Sequence, residues 1–229
     1  MKILHGGLGI LMTVAVILVL LITSFEIGIY SDLKWYEKEY EIYHVAEDLE
    51  MEMKDVMYVT KEILAYLKGD REDLVVYTVV RGENQAFFNE REKAHMIDVR
   101  ALFLGGLKIR LWGGIVILLS FITLVFMRKG WQQMLPKVFL IGTGIFAGIF
   151  AFLGILVALD FHRYFFLFHQ IFFNNDLWIL NPDTDLMIRM FPEGFFFDMV
   201  IRIGVIFTVG LVILMAISCV LCFKQRIKK

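Results

Sequence analysis

Cysteine is nearly absent from this chain, at two of 229 residues, and both of them, Cys219 and Cys222, fall near the end of the last apolar run. A disulfide framework is therefore excluded. A lone C-x-x-C with no histidine nearby is also a poor metal set, so small apolar packing is the better reading of the pair. The charged loops hold one serine, Ser31, and no cysteine, and no G-x-S-x-G occurs anywhere, which removes the common serine and thiol nucleophiles. There is no H-E-x-x-H, no glycine-rich phosphate loop and no basic patch in those loops. Zincin-type proteolysis, nucleotide chemistry and nucleic-acid binding are poor candidates for that reason. Proline is confined to three positions, and two of these, Pro182 and Pro192, punctuate one late segment.

What is abundant is hydrocarbon. The sequence is 59% hydrophobic with a mean hydropathy of +0.69, beyond the ~45–50% of ordinary soluble domains. Four runs, roughly Gly7–Tyr30, Leu107–Met127, Pro136–Leu159 and Phe195–Phe223, reach the ~20 apolar residues that a spanning helix needs. The first lacks an A-x-A-like cleavage site and is expected to be retained as a helix. Charge is partitioned between the connecting segments. Residues 31–106 hold 10 basic and 17 acidic residues and residues 160–198 hold 2 and 6. The two ends and the middle loop carry only basic residues, namely Lys2, Arg128, Lys129, Lys137, Lys224, Arg226, Lys228 and Lys229. The positive-inside rule then predicts cytoplasmic termini and two acidic segments facing outward, with Lys108, Arg110 and Arg202 pulling mildly the other way. The fold class expected is a mainly α membrane protein with four transmembrane helices and an extracellular cap of amphipathic helices and short extended pieces. In residue ranges, 1–30, 107–127, 136–159 and 195–223 span, 31–106 is the cap, 128–135 a cytoplasmic loop, 160–194 an aromatic outer loop and 224–229 a basic tail.

Within the cap, Trp35, Tyr36, Tyr40 and Tyr43 form an aromatic group suited to the headgroup level. Leu49, Met53, Val56, Thr60, Ile63 and Leu67 recur at helical spacing, closed by Lys68-Gly69, and predict an amphipathic helix whose stripe lies on the bilayer or the spanning bundle. His44 is read as a surface residue of that solvated helix. Residues 74–80 and 85–88 flank Arg81-Gly82-Glu83-Asn84 and predict a short hairpin or two extended pieces. Asn89 with Glu92 three positions on marks a helix start, and Glu92, His95 and Asp98 then share one face. Gly105-Gly106 is expected to end or bend this segment before the second span. In the third span Gly144-x-x-x-Gly148 predicts close helix approach, within the chain rather than between chains.

The segment Asp160–Asp198 is where polar chemistry meets aromatic bulk, with ten phenylalanines, two histidines and six acidic residues. His162, His169 and Asp176 are spaced by seven and are expected on one helical face. Histidine takes and returns protons near neutral pH, and a neighbouring carboxylate can fix its tautomer. Glu92 or Asp98 could do so for His95, and Asp160 or Asp176 for His169. Interface hydrogen bonding and a metal held by His95, His162, His169 and an aspartate remain the alternatives. Transport is disfavoured because the span centres lack ionisable groups.

Two strings carry a family likeness. One is Glu92-x-x-His95-x-x-Asp98-Val99. The other is Tyr164-Phe165-x-x-Phe168-His169-x-Ile171-Phe172-Phe173-x-Asn175-Asp176-x-Trp178-x-Leu180-x-Pro182. Together they resemble the bacterial lipoprotein intramolecular transacylase family, along the whole chain. The resemblance implies an enzyme at the outer face of the cytoplasmic membrane that needs no cofactor or metal. Its implied substrate is a diacylglyceryl-modified lipoprotein with a free amino-terminal cysteine, whose sn-2 acyl chain moves to the α-amine to give the lyso-form. It further implies catalysis by His95 and His169. Glu92, Asp98, Tyr164, Phe168, Phe172, Asn175, Asp176 and Trp178 are then the supporting or substrate-binding set. The partners expected are the lipoprotein and membrane lipid, with the chain acting as a monomer. A non-enzymatic lipid-binding or assembly factor is the alternative. With histidine as base, activity is expected to fall below pH ~6.5.

Overall fold

The computed structural model describes residues 2–127 and 130–227, with side chains from Gly6 onward and without that of Arg226. Arg128, Lys129, Lys228 and Lys229 therefore lie outside the described residues, as do the side chains of Lys2, His5 and Arg226. The elements in chain order are α1 (Lys2–Tyr30), α2 (Leu33–Ile42), α3 (Val45–Leu49), α4 (Met53–Lys68), β1 (Tyr77–Val80), β2 (Glu83–Ala86), α5 (Glu90–Phe126), α6 (Trp131–Leu159), α7 (Phe161–Phe172), α8 (Leu186–Met190) and α9 (Glu193–Ile227). Among the described residues, four helices are long and apolar enough to cross a membrane: Gly6–Tyr30, Glu90–Phe126, Trp131–Leu159 and Glu193–Gln225. The chain divides into two compact units, one of residues 1–27, 107–159 and 202–229, the other of residues 28–106 and 160–201.

The first unit holds the apolar helices. Its core is Ile17 of α1 with Phe207 and Leu211 of α9, packed against Leu20, Leu21, Phe146, Ala147 and Phe150. Close approach occurs at Gly142, where a Cβ would sit 2.7 Å from Thr13 Cγ2. Gly144 and Gly148 have open space instead, so the small-residue contact lies two residues before the G-x-x-x-G expected to make it, on a different face of the helix. The third helix also begins earlier than Pro136, at Trp131. A proline there cannot donate to the carbonyl of Gln132 four residues back, and the Gln225 side-chain amide of α9 donates to that carbonyl instead. Arg110 is neutralised by an ion pair with Glu26, which explains a cation near the start of the second run. Thr13, Thr23, Ser24 and Ser218 each donate to a carbonyl four residues back, satisfying hydroxyls within apolar helices. Both cysteines are free thiols, Cys219 exposed and Cys222 half-buried, so small apolar packing describes only the second.

The second unit has its own core, and it corrects the reading of the aromatic group. Tyr36 and Tyr40 are buried, and Tyr40 stacks on Phe195 at 5.8 Å. The Tyr36 hydroxyl donates to Ile29 O at 2.9 Å. Helix α4 forms as its stripe requires, ending at Gly69 with φ +94°, a conformation that glycine adopts without a Cβ penalty. Its stripe, Val56, Val59, Thr60 and Ile63, is buried inside this unit, with Thr60 Oγ1 2.9 Å from the Tyr40 hydroxyl. The stripe is thus core of the cap, not a face laid on lipid. His44 is exposed as expected, but it sits in left-handed backbone at the α2–α3 junction rather than on a helix. The hairpin forms with Val80 opposite Glu83, and Arg81 and Gly82 both adopt positive φ, the signature of a two-residue type I′ turn.

Candidate active site

Helix α5 starts on a reciprocal cap. Glu92 N donates to Asn89 Oδ1 at 2.9 Å, and Asn89 N donates to Glu92 Oε2 at 2.8 Å, as the spacing predicted. The other carboxylate oxygen, Oε1, accepts from Met187 N at 2.7 Å. Glu92 is 1% exposed, and burial holds its carboxyl above the usual range while these N–H donors oppose the shift. Both oxygens are therefore occupied by backbone, and Glu92 is not the partner of His95. The helix then runs through Gly105-Gly106 without a break as far as Phe126. Thirty-seven residues at ~1.5 Å rise exceed the ~30 Å hydrocarbon core, and the charged residues 90–106 are the excess, belonging to the second unit.

One turn into that excess stands His95, only 7% exposed. Its ring centroid lies 6.3 Å from that of His169, with planes 33° apart. His169 is the fourth residue from the end of α7, whose N-cap is Asp160, with a side chain that accepts from Arg163 N. Both histidines belong to the second unit. Phe173 touches both rings, at 5.3 Å from His95 and 5.6 Å from His169. Trp178 stacks on His169 at 4.9 Å, and Phe165 meets it edge-on at 4.4 Å.

The environments of the two imidazoles differ. His169 Nδ1 lies 2.7 Å from Phe165 O. A carbonyl only accepts, so Nδ1 carries the proton and Nε2 keeps its lone pair. Helix α7 itself, through the residue four positions back, thus does what Asp160 or Asp176 was expected to do. His95 Nδ1 is buried and has no hydrogen-bond partner among the described residues. Burial pushes the His95 pKa down to about 4, with neighbouring His169 adding to the effect and Asp98 opposing it. Burial also lowers that of His169, and the bond to Phe165 opposes it.

The rest of the predicted set divides. Asp98 accepts from Asn175 Nδ2 at 2.8 Å, and Asn175 Oδ1 accepts from Leu177 N at 3.0 Å, so neither group points at an imidazole nitrogen by a bond of its own. Asp176 lies beyond the end of α7 and offers its backbone carbonyl to Arg91. Phe168 and Phe172 are 41% and 52% exposed on α7, their rings 4.7 Å apart and tilted by 40°. Tyr164 is half-buried, with no hydrogen bond or ring contact to either histidine among the described residues. His162 belongs elsewhere, its Nδ1 2.8 Å from Glu193 Oε2, a carboxylate that raises its pKa. No group of three or more His, Cys, Asp or Glu able to hold a metal occurs among the described residues. The sequence reading missed Phe165, Phe173 and Arg91. Their spacing of four from His169 or His95 was the available signal, since such positions are neighbours on a helix face.

These surroundings order the titrations. Nuclear magnetic resonance of the histidine rings should show His95 and His169 titrating below ~6.5 and His162 above it. A His95 that protonates at or above ~6.5 contradicts the buried pair. The unfolded chain binds protons at His95 first, so its contribution to stability is complete above pH ~6.5 and declines as pH falls from there toward about 4. His162 acts in the opposite sense, contributing below ~6.5 and losing its contribution as pH rises through its folded value.

Four apolar membrane-length helices among the described residues and a desolvated imidazole pair define a class: a membrane-integral protein equipped for acid–base chemistry. The family model of lipoprotein intramolecular transacylase Lit matches residues 10–196. The chain belongs to that family and is a membrane-integral acyltransferase. No curated protein matches it. Among solved structures, it is similar to the membrane-integral lipoprotein intramolecular transacylase Lit of Bacillus cereus, with a TM-score of 0.82 at 18% identity over 99% of this chain and 100% of that one. Two variants of that protein, with one histidine replaced by arginine or alanine, match with a TM-score of 0.75 at 17% identity. They cover 98% and 97% of this chain and 95% and 96% of theirs.

Proposed function

We propose that this enzyme moves the sn-2 acyl chain of a diacylglyceryl-cysteine lipoprotein to the α-amino group of the same cysteine, using His95 and His169. The observation that carries the reading is the pair itself: two desolvated imidazoles from distant parts of the chain, 6.3 Å apart, beside exposed phenylalanines. Donor ester and acceptor amine sit on one molecule, so positioning and proton transfer suffice. In the sequence of steps, the neutral amine attacks the ester carbonyl carbon while His169 Nε2 takes its proton. The Phe165 carbonyl supports the imidazolium through Nδ1–H. His95, held neutral by burial, donates N–H to the developing oxyanion. Collapse breaks the bond to the sn-2 oxygen, which receives the proton from His169. The products are an amide and a free sn-2 hydroxyl, and both histidines return to their starting states.

In this reading residues 28–106 and 160–201 face outward, the termini are cytoplasmic, and Phe168 and Phe172 hold acyl chain. The enzyme's own acid limb moves below ~6.5, because burial lowers both imidazoles. The test is expression in a cell that makes only diacyl lipoproteins, followed by mass measurement of the amino-terminal lipopeptide before and after base. Base should leave one acyl chain, attached as an amide. Loss of both chains, from protein that is inserted and folded, overturns the proposal.

A further inference from the structure

His95 does not stand alone on its face of α5. Arg91 lies four residues before it and Asp98 three after, so all three share one face, and all three meet a single short segment, residues 173–178. The Arg91 guanidinium donates to Asp176 O, Phe173 packs on His95, and Asn175 Nδ2 donates to Asp98 Oδ2 at 2.8 Å. The same segment holds the other imidazole, through Phe173 at 5.6 Å and Trp178 at 4.9 Å. Asn175 is itself fixed, since its Oδ1 accepts from Leu177 N.

The geometry points to a two-point brace in which Asp98–Asn175 and Arg91–Asp176 set the separation of His95 and His169. This makes Arg91, Asp98 and Asn175 positioning residues, not groups that touch substrate. The inference rests on the acyl-transfer reading and adds to it.

The hydrogen bond can be exchanged without being lost. In Asp98→Asn an amide oxygen still accepts from Asn175, whereas Asn175→Asp sets two carboxylates against each other. In the double exchange Asp98→Asn/Asn175→Asp the amide at 98 donates to the carboxylate at 175, which still accepts from Leu177 N. Displacing a catalytic group by about 1 Å costs on the order of 100-fold. Purified full-length variants acting on a synthetic diacylglyceryl-cysteine peptide should show Asn175→Asp reduced about 10- to 100-fold in kcat with KM little changed. Asp98→Asn should stay within a few-fold of wild type, and the double exchange should recover most of the Asn175→Asp loss. Inactive wild type, folded and inserted, would refute the acyl-transfer reading itself. With active wild type, a double exchange no better than Asn175→Asp, or Asp98→Asn as impaired as Asp98→Ala, overturns the brace.

Discussion

Alanine at His169 is expected to reduce acyl transfer about 10²- to 10⁴-fold, the range for loss of a positioned general base, and alanine at His95 about 10²- to 10³-fold, the range for loss of an oxyanion donor. The two rings lie 6.3 Å apart and share Phe173, a spacing that lets one reacting centre lie within reach of both, as the proposed reaction requires. The double variant should then lose no more than the worse single one. Single-turnover rates on a defined lipopeptide check this, with melting temperatures measured in parallel because His95 is buried. Strictly multiplicative losses would mean that the two histidines work independently. Neither substitution should matter to a lipid carrier, so a full rate in both variants excludes them from the chemistry.

Glu92→Ala should produce the largest loss of stability among the residues around the site. It leaves the backbone N–H groups of Asn89 and Met187 without their acceptor, each costing about 1–3 kcal/mol when buried, so roughly 2–6 kcal/mol is expected in total. Glu92→Gln keeps one acceptor oxygen but turns an amide N–H₂ toward a donor, and an intermediate loss is expected. Thermal unfolding in detergent, followed by the fluorescence of the cap tryptophans, reads the effect. Activity measured well below the melting temperature should fall far less than in the histidine variants. A Glu92→Gln protein of wild-type stability and abolished activity would show instead that this carboxylate takes part in the reaction.

Features fixed by neighbours in the sequence were legible in advance. The Asn89–Glu92 cap, the Arg81-Gly82 turn and the α4 stripe each depend on residues within one or two turns of one another. The His95–His169 pairing is long-range, and only the family likeness of the two strings indicated it. What escaped reading were partners set by tertiary packing. Glu92 binds Met187 N across 95 residues and Asn175 binds Asp98 across 77, and no periodicity encodes either. Tyr36 and Tyr40 looked interfacial because a tyrosine near an apolar run fits a membrane boundary and a domain core equally well. The glycine pair at 105–106 suggested a break, but the apolar helix on one side and the capped helix on the other continue each other's hydrogen bonding. Glycine weakens a helix by about 1 kcal/mol, too little to stop one supported at both ends.

The most direct measurement uses the purified enzyme and a diacylglyceryl-cysteine peptide deuterated only in its sn-2 chain. Internal transfer at the imidazole pair predicts that the label moves to the amino-terminal amide of the same molecule and that none of it appears in unlabelled peptide added alongside. Label retained in the ester, released as free fatty acid or shared with the unlabelled peptide would contradict it.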